Sequence, residues 1–417
     1  AFSVNNDNEL KDVLILSFFF PPIGGTGIHR ILNMIKNFSS NNLRQNIITI
    51  KKDKFNYFGL QENELEKEII SDKIRIYRTD YCRLNIIPSN FKRPDSQIGW
   101  LPFLIIGIVN AITTNKNIKY IIATCPPFTS AVASVICGKL FNIKIITDYR
   151  DLWIQNTHFR SSLTKLDYYF EKKVNNYSYK ILTVSRYQKI LLEKEYPHFS
   201  RKIIHIPRGY MIPDEKKIKS IELFENENKL FRIVYTGVFY GGRRNPEIIY
   251  KILSELINSG VIEKSKISFE IVGQYDDNVF SLAEKFELGD RLHFYGTLSF
   301  YETCYVQRKS EILFALDKDE TEEDKAIITG KIFEYASAGK TILSLCAKDG
   351  DLYNFVNQNN LGAAFSYDES ELLMEWLMDK YKKFVLYGKV IPEYSIEDIK
   401  MYDALNMNIL EKIEGNC

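Results

Sequence analysis

Short apolar runs without alternation recur along this chain. Each is followed by a loop and then by apolar residues at helical spacing. Val13 to Leu16 is such a run, and it reads as a strand buried on both faces, as in a parallel sheet. Pro21 and Pro22 end it, and Ile28, Ile31, Leu32, Ile35 and Phe38 then mark a helix. The same unit returns as strand Tyr120 to Thr124, turn "CPPFTS" and helix Ala131 to Phe141. Strand Lys144 to Thr147 ends in "DYRDLW", and strand Lys202 to Ile206 ends in "PRGY". A charged, polar stretch from Asp214 to Lys229 interrupts the rhythm, which then restarts at Phe231 to Thr236. Strands follow at Ile267 to Val272, Leu292 to Tyr295, Glu311 to Leu316 and Thr341 to Leu345.

The pattern predicts an α/β protein of two similar halves, each a parallel sheet with helices on both faces, the two facing one cleft. The expected limits are 1–212, 213–390 and a tail, 391–417, with helical spacing from Tyr394 to Ile413. A length of 417 residues suits two domains. In such sheets ligands bind beyond the carboxyl ends of the strands, where the glycine-rich and charged loops fall.

Charge narrows the function. The chain has 55 basic and 53 acidic residues, a formal net charge of +2. That excludes a protein whose main work is binding nucleic acid. The cysteines, Cys82, Cys125, Cys137, Cys304, Cys346 and Cys417, form no CxxC pair, so neither a zinc site nor a disulfide framework is expected. A reducing, cytoplasmic setting fits. The scattered histidines form no metal motif, and no protein-bound metal or other cofactor is expected. The opening "AFSVNNDNELK" lacks the apolar core of a signal peptide. Trp100 to Ile112 is too short to span a bilayer, and reads either as a buried helix or as an interfacial helix giving peripheral membrane contact.

Four loops could carry chemistry. Gly24, Gly25, Thr26 and Gly27 lie between a strand and a helix, where glycine lets a phosphate or sugar approach the amides, or simply makes a tight turn. In "TGKIFEYASAGK", Thr329 could cap a helix and Gly330 open it to a diphosphate, with Lys331 adding its charge. Glu334, one turn on, could accept ribose hydroxyls, or pair with Lys331 at the surface. "GVFYGGRRNPE" offers Gly237, Arg243 and Arg244 as a phosphate clamp or an exposed turn. In "TDYRDLW", Asp148, Arg150 and Asp151 crowd a strand end, either for catalysis or as an internal ion pair.

In order, "SFFFPPIGGTGIHR", "TCPPFTSAVAS", "DYRDLW", "LTVS", "IPRGY", "YTGVFYGGRRNPE", "IVGQ", "FYGTLSFYE" and "GKIFEYASAGKTIL" resemble the bacterial GT-B glycosyltransferases of family four, from about Asp12 to the end. The resemblance implies a GT-B fold: two Rossmann-like domains facing a central cleft, acceptor on the first and nucleotide-sugar donor on the second. It implies retaining transfer of a hexose or N-acetylhexosamine, most naturally from a UDP-sugar, to a glycan or lipid-linked glycan in surface polysaccharide or lipopolysaccharide synthesis. Arg244 and Lys331 would then hold the diphosphate and Glu334 the ribose, with Gly237, Arg243, Gly273, Thr329, Gly330 and Ile332 around the donor. Gly24 and Gly25 would approach the donor phosphate or the acceptor, and Asp151 or Asp148 would orient the acceptor. The tail would cross back to the first domain.

The chain departs from the family at one telling place. Many members have two glutamates separated by seven residues; the second matches Glu334, but Ala326 stands at the first. That keeps open a catalytically weak glycan- or nucleotide-binding subunit; a nucleotide-sugar epimerase on the same scaffold is the rival enzyme reading.

Overall fold

The computed structural model describes residues 12–23, 28–58, 72–84, 88, 92–156, 163–209, 213–223, 229–396 and 409–415. The chain divides into one compact unit of residues 1–209 with 402–417 and a second of 210–401.

The first unit is built on β1 (Asp12–Leu16), β2 (Arg44–Ile50), β3 (Ile74–Thr79), β4 (Ile118–Cys125), β5 (Lys144–Tyr149), β6 (Lys180–Thr183) and β7 (Ile203–His205). They form one seven-stranded sheet in the order β3-β2-β1-β4-β5-β6-β7. Every pairing is parallel. Every residue of β1 is buried, as an unalternating apolar run requires when helices cover both faces. Its helices are α1 (His29–Ser40), α2 (Leu101–Thr114), α3 (Thr129–Phe141), α4 (Lys165–Tyr177) and α5 (Arg186–Glu195).

The second unit carries β8 (Phe231–Thr236), β9 (Ile267–Val272), β10 (Leu292–Gly296), β11 (Ile312–Leu316), β12 (Thr341–Leu345) and β13 (Gly362–Phe365). Its parallel sheet runs β10-β9-β8-β11-β12-β13. Around it lie α6 (Glu215–Lys219), α7 (Glu247–Asn258), α8 (Asp277–Lys285), α9 (Phe300–Arg308), α10 (Lys331–Ser337), α11 (Asp351–Gln358) and α12 (Ser370–Tyr387). Side chains alternate across this sheet: Phe231, Ile233 and Tyr235 join the core on one face, Val234 the core on the other.

Trp100 to Ile112 falls almost entirely on α2. Leu104, Ile108, Ala111 and Ile112 are buried, while Ile106 is 58 % exposed, so α2 is a half-buried packing helix. Among the described residues no helix is long and apolar enough to cross a membrane. Of the tail, residues 397–408 lie outside the described residues. Its end forms α13 (Ile409–Glu414), which packs within the first unit: the Ile409 amide donates to Asn37 Oδ1 at 3.4 Å, and the Tyr120 hydroxyl donates to Glu414 at 2.8 Å.

Candidate functional site

In the second unit, β8, β9 and β11 end side by side. β8 ends at Thr236, and Gly237 follows with φ +131 and donates its amide to Val272 at 2.8 Å. β9 ends at Val272, and Gly273 follows with φ +151. A Cβ on Gly273 would lie 2.0 Å from the Gly237 carbonyl oxygen. Only glycine permits both the backbone angle and this approach. The two loops are thereby pressed together at the carboxyl ends of these strands.

Lys331 reaches those strand ends from the start of α10. It is 4 % exposed, and its ammonium has no hydrogen-bond partner among the described residues. The charge lies 3.9 Å from the centroid of the Tyr235 ring. The Nζ atom would be 2.5 Å from a Cβ on Gly237, so that glycine makes the room it occupies. Burial, and then the charge of Arg244, push the Lys331 pKa well below the usual lysine value; Asp317 and Glu334 offset this only in part. A desolvated cation–π contact is worth about 2 kcal/mol or somewhat more, still less than the cost of burying an unpaired ammonium. Lys331 thus lacks a directly bonded counter-charge among the described residues.

Arg244 is the second cation. Its Nη2 donates to Asp317 Oδ2 at 3.0 Å, with side-chain exposures of 12 % and 3 %. The Tyr240 ring covers the guanidinium at 5.0 Å. Burial opposes the charge, but Asp317, Tyr235 and Tyr240 outweigh it and raise the pKa above the usual arginine value. Asp317 is itself fixed: its amide bonds to Leu345 at 2.9 Å, and its carbonyl accepts from the Tyr367 hydroxyl at 2.8 Å. Tyr335 closes the floor, its hydroxyl accepting from the Thr236 amide at 2.9 Å and donating to Phe314 at 3.1 Å.

The structure thus brings Gly237, Gly273, Arg244 and Lys331 together. Glu334 is half-buried one turn along α10, and its charge acts on Lys331. Other expected donor residues differ. Thr329 does not cap α10: Gly330 occupies that position, with no side-chain bond, because the helix begins one residue later than the sequence suggests. α10 is only seven residues long, so its dipole adds little, and the charge at its start belongs to Lys331. Ile332 is buried in the core, and its amide is already bonded to the Thr329 carbonyl at 3.2 Å. Arg243 is exposed beside its buried neighbour. The Gly–Arg loop also lines an open cavity of about 460 Å³ with Asn278 and Lys285. That lysine is paired with Glu247 at 2.8 Å, so this hollow lacks the unpaired charge. Asp317, Tyr235 and Tyr240 were absent from the sequence-derived site. The signal for Asp317 was its place at the end of an apolar run, the position that made the other loops candidates.

In the first unit, Asp148 at the end of β5 is fully buried and held by Arg30, whose Nη2 donates to Oδ1 at 2.7 Å. Arg30 Nη1 also donates to the Ile206 carbonyl at 3.0 Å. This pair ties α1, β5 and the loop after β7 together and encloses Asp148. Sequence reasoning anticipated an internal ion pair with Arg150; the partner is Arg30. Arg150 is buried too, donating to the Pro126 carbonyl and lying 5.6 Å from the Phe19 ring, while burial lowers its pKa. Asp151 is exposed. Gly24, Gly25, Thr26 and Gly27 lie outside the described residues.

No family model matches the chain, and no curated protein does. Solved structures do. Sucrose-phosphate synthase from Thermosynechococcus elongatus is 13 % identical with a TM-score of 0.65, over 96 % of this chain and 98 % of that one. HepE from Anabaena, solved in complex with UDP, is 13 % identical with a TM-score of 0.62, over 97 % and 99 %. UDP-GlcNAc 2-epimerase from Methanocaldococcus jannaschii is 12 % identical with a TM-score of 0.51, over 88 % and 91 %. The chain has the GT-B fold. In GT-B terms the cluster around Lys331 lies at the carboxyl ends of the second unit's strands, where an α/β sheet receives its ligand.

Proposed function

We propose that this protein is a retaining glycosyltransferase that moves a sugar from a nucleotide-sugar, a UDP-sugar being the first candidate, to a glycan or lipid-linked glycan. The observation that carries this reading is the buried Lys331 ammonium, without a hydrogen-bond partner among the described residues, beside Arg244 at the strand ends. An ammonium without a bonded anion beside an arginine suits a diphosphate, and a diphosphate is the leaving group of a nucleotide-sugar. HepE, of the same fold, was solved with UDP.

In this reading the bond from the sugar C1 to the phosphate oxygen breaks and one from C1 to the acceptor oxygen forms on the same face. The acceptor proton passes to the leaving phosphate. Lys331 and Arg244 stabilise the charge that develops there, ordinarily the largest single contribution to such catalysis. Glu334 binds the ribose hydroxyls. Exposed Asp151 remains the residue to orient the acceptor. No protein-bound metal is called on.

The fold is shared with an epimerase, which gives the second reading: conversion of the nucleotide-sugar without an acceptor. A thermal-shift panel of UDP, GDP, CDP, ADP and dTDP on wild type and Glu334→Ala comes first. A diphosphate at about a hundred times its Kd stabilises by ~2.7 kcal/mol. One diphosphate should stand out, and less so for Glu334→Ala. Incubating the matching nucleotide-sugars with and without glycan acceptors then separates the readings: transfer to acceptor supports the transferase, and a free epimerised sugar nucleotide supports the epimerase. No shift with any diphosphate contradicts both.

A further inference from the structure

α3 and α4 meet along an open groove of about 670 Å³ whose lining includes Ile136, Lys139, Leu140, Tyr169, Lys173 and Tyr177. Its apolar rim is exposed: Leu140 by 72 %, Tyr169 by 56 % and Ile136 by 45 %. Leu166 and Tyr168 extend it along α4, at 54 % and 51 %. Single exposed apolar residues need no explanation; a contiguous set across two helices marks a contact surface.

The exposed charges on α2, α3 and α4 are of one sign; the nearest exposed carboxylate acting on this region, Glu195, belongs to α5. α3 carries Lys139 as its single charge, and α2 beside it carries none. α4 has two acids, and both are turned inward. Asp167 is 1 % exposed and closes the capping box on Thr164; Glu171 is fully buried and accepts from the Tyr196 hydroxyl at 2.7 Å. Lys165, Lys172 and Lys173 on the same helix are all exposed. These helices therefore present lysines and no exposed carboxylate, in a chain whose formal net charge is only +2. Lys139 lies 4.0 Å from the Tyr177 ring centroid and Lys173 5.5 Å from that of Tyr169. The ammonium groups themselves lie over the rings, on exposed side chains, so basic and aromatic groups are paired as they are at a membrane–water interface.

We propose that the α3–α4 face docks on an anionic bilayer surface. Lys139, Lys165, Lys172 and Lys173 meet the headgroups, and Leu140, Tyr168 and Tyr169 enter the boundary with the acyl chains. This differs from the α2 segment that the sequence marked for membrane contact. It rests on this surface alone and is independent of the donor site.

The test is cosedimentation of the full chain with phosphatidylcholine vesicles, alone or mixed with phosphatidylglycerol. Wild type is expected to pellet only with the mixed vesicles and to be released by salt. Lys139→Gln with Lys173→Gln should lower partitioning about fivefold per lysine, with an unchanged melting midpoint. No binding to the mixed vesicles overturns the proposal, as does equal binding by the double variant. So does a dimer in sedimentation velocity that Leu140→Ser dissociates, because the face would then be a contact between copies.

Discussion

Arg244 and Asp317 stand 73 residues apart in sequence and 3.0 Å apart in the fold, joined from Nη2 to Oδ2 in a largely buried ion pair. The carboxylate is what allows a second cation beside Lys331. Asp317→Ala removes it and leaves the Arg244 guanidinium unpaired beside Lys331, with Glu334 alone to offset the two charges. A loss of ~3–5 kcal/mol is expected in urea unfolding. An added diphosphate should stabilise this variant more than the wild type, because the anion replaces the missing carboxylate. Equal stability of the two proteins would contradict the electrostatic reading.

Gly237→Ala should remove nucleotide binding. The backbone angle of φ +131 costs about 1–3 kcal/mol for a residue with a side chain, and the added Cβ would fall 2.5 Å from Lys331 Nζ. Titration calorimetry with the stabilising diphosphate checks this. Unaltered affinity would show that the lysine does not need this space.

Asp148 is expected to govern stability rather than turnover. Breaking its pair with Arg30 by Asp148→Ala strands a guanidinium that is 1 % exposed, at a cost of ~3–5 kcal/mol. Arg30→Met with Asp148→Leu removes both charges and should recover much of the loss. If the double variant folds well yet shows no transfer to acceptor, Asp148 has a chemical role after all.

Glu171 makes stability depend on pH. Burial raises its pKa from 4.5 to about 7. The folded protein therefore holds a proton that the unfolded chain releases between these values. The stabilising contribution is fully present below about 4.5 and is lost as pH rises towards 7, up to ~3 kcal/mol in all. Glu171→Gln should flatten that part of the stability curve relative to wild type. Parallel curves would place the carboxyl at an ordinary pKa.

Much of the fold was legible because parallel strands covered on both faces are plain apolar runs, as in Val13 to Leu16 and Ile312 to Leu316. β2 was not. Its sequence RQNIITI opens with polar residues, and Gln45 and Asn46 are buried only because Gln45 bonds to the Ile35 carbonyl at 3.1 Å and Asn46 to that of Val13 at 3.4 Å. β13, GAAF, has too little apolar bulk to stand out. At the site, Lys331 and Arg244 were legible as charges beside glycine loops. Their partners were not: Asp317 and Tyr235 come from other strands, and Arg30 finds Asp148 across 118 residues. Local spacing carries no information about such contacts, and the missing cap at Thr329 shows that even a helix start can shift by a residue.

The most direct test is the melting midpoint of Lys331→Met with and without the diphosphate that best stabilises the wild type. Methionine fills the same space over the Tyr235 ring without a buried charge. The variant should melt above the wild type when free, consistent with ~1–3 kcal/mol of relief, and should lose the response to nucleotide. A variant that melts lower when free, or that still responds as the wild type does, would contradict an anion site built on Lys331.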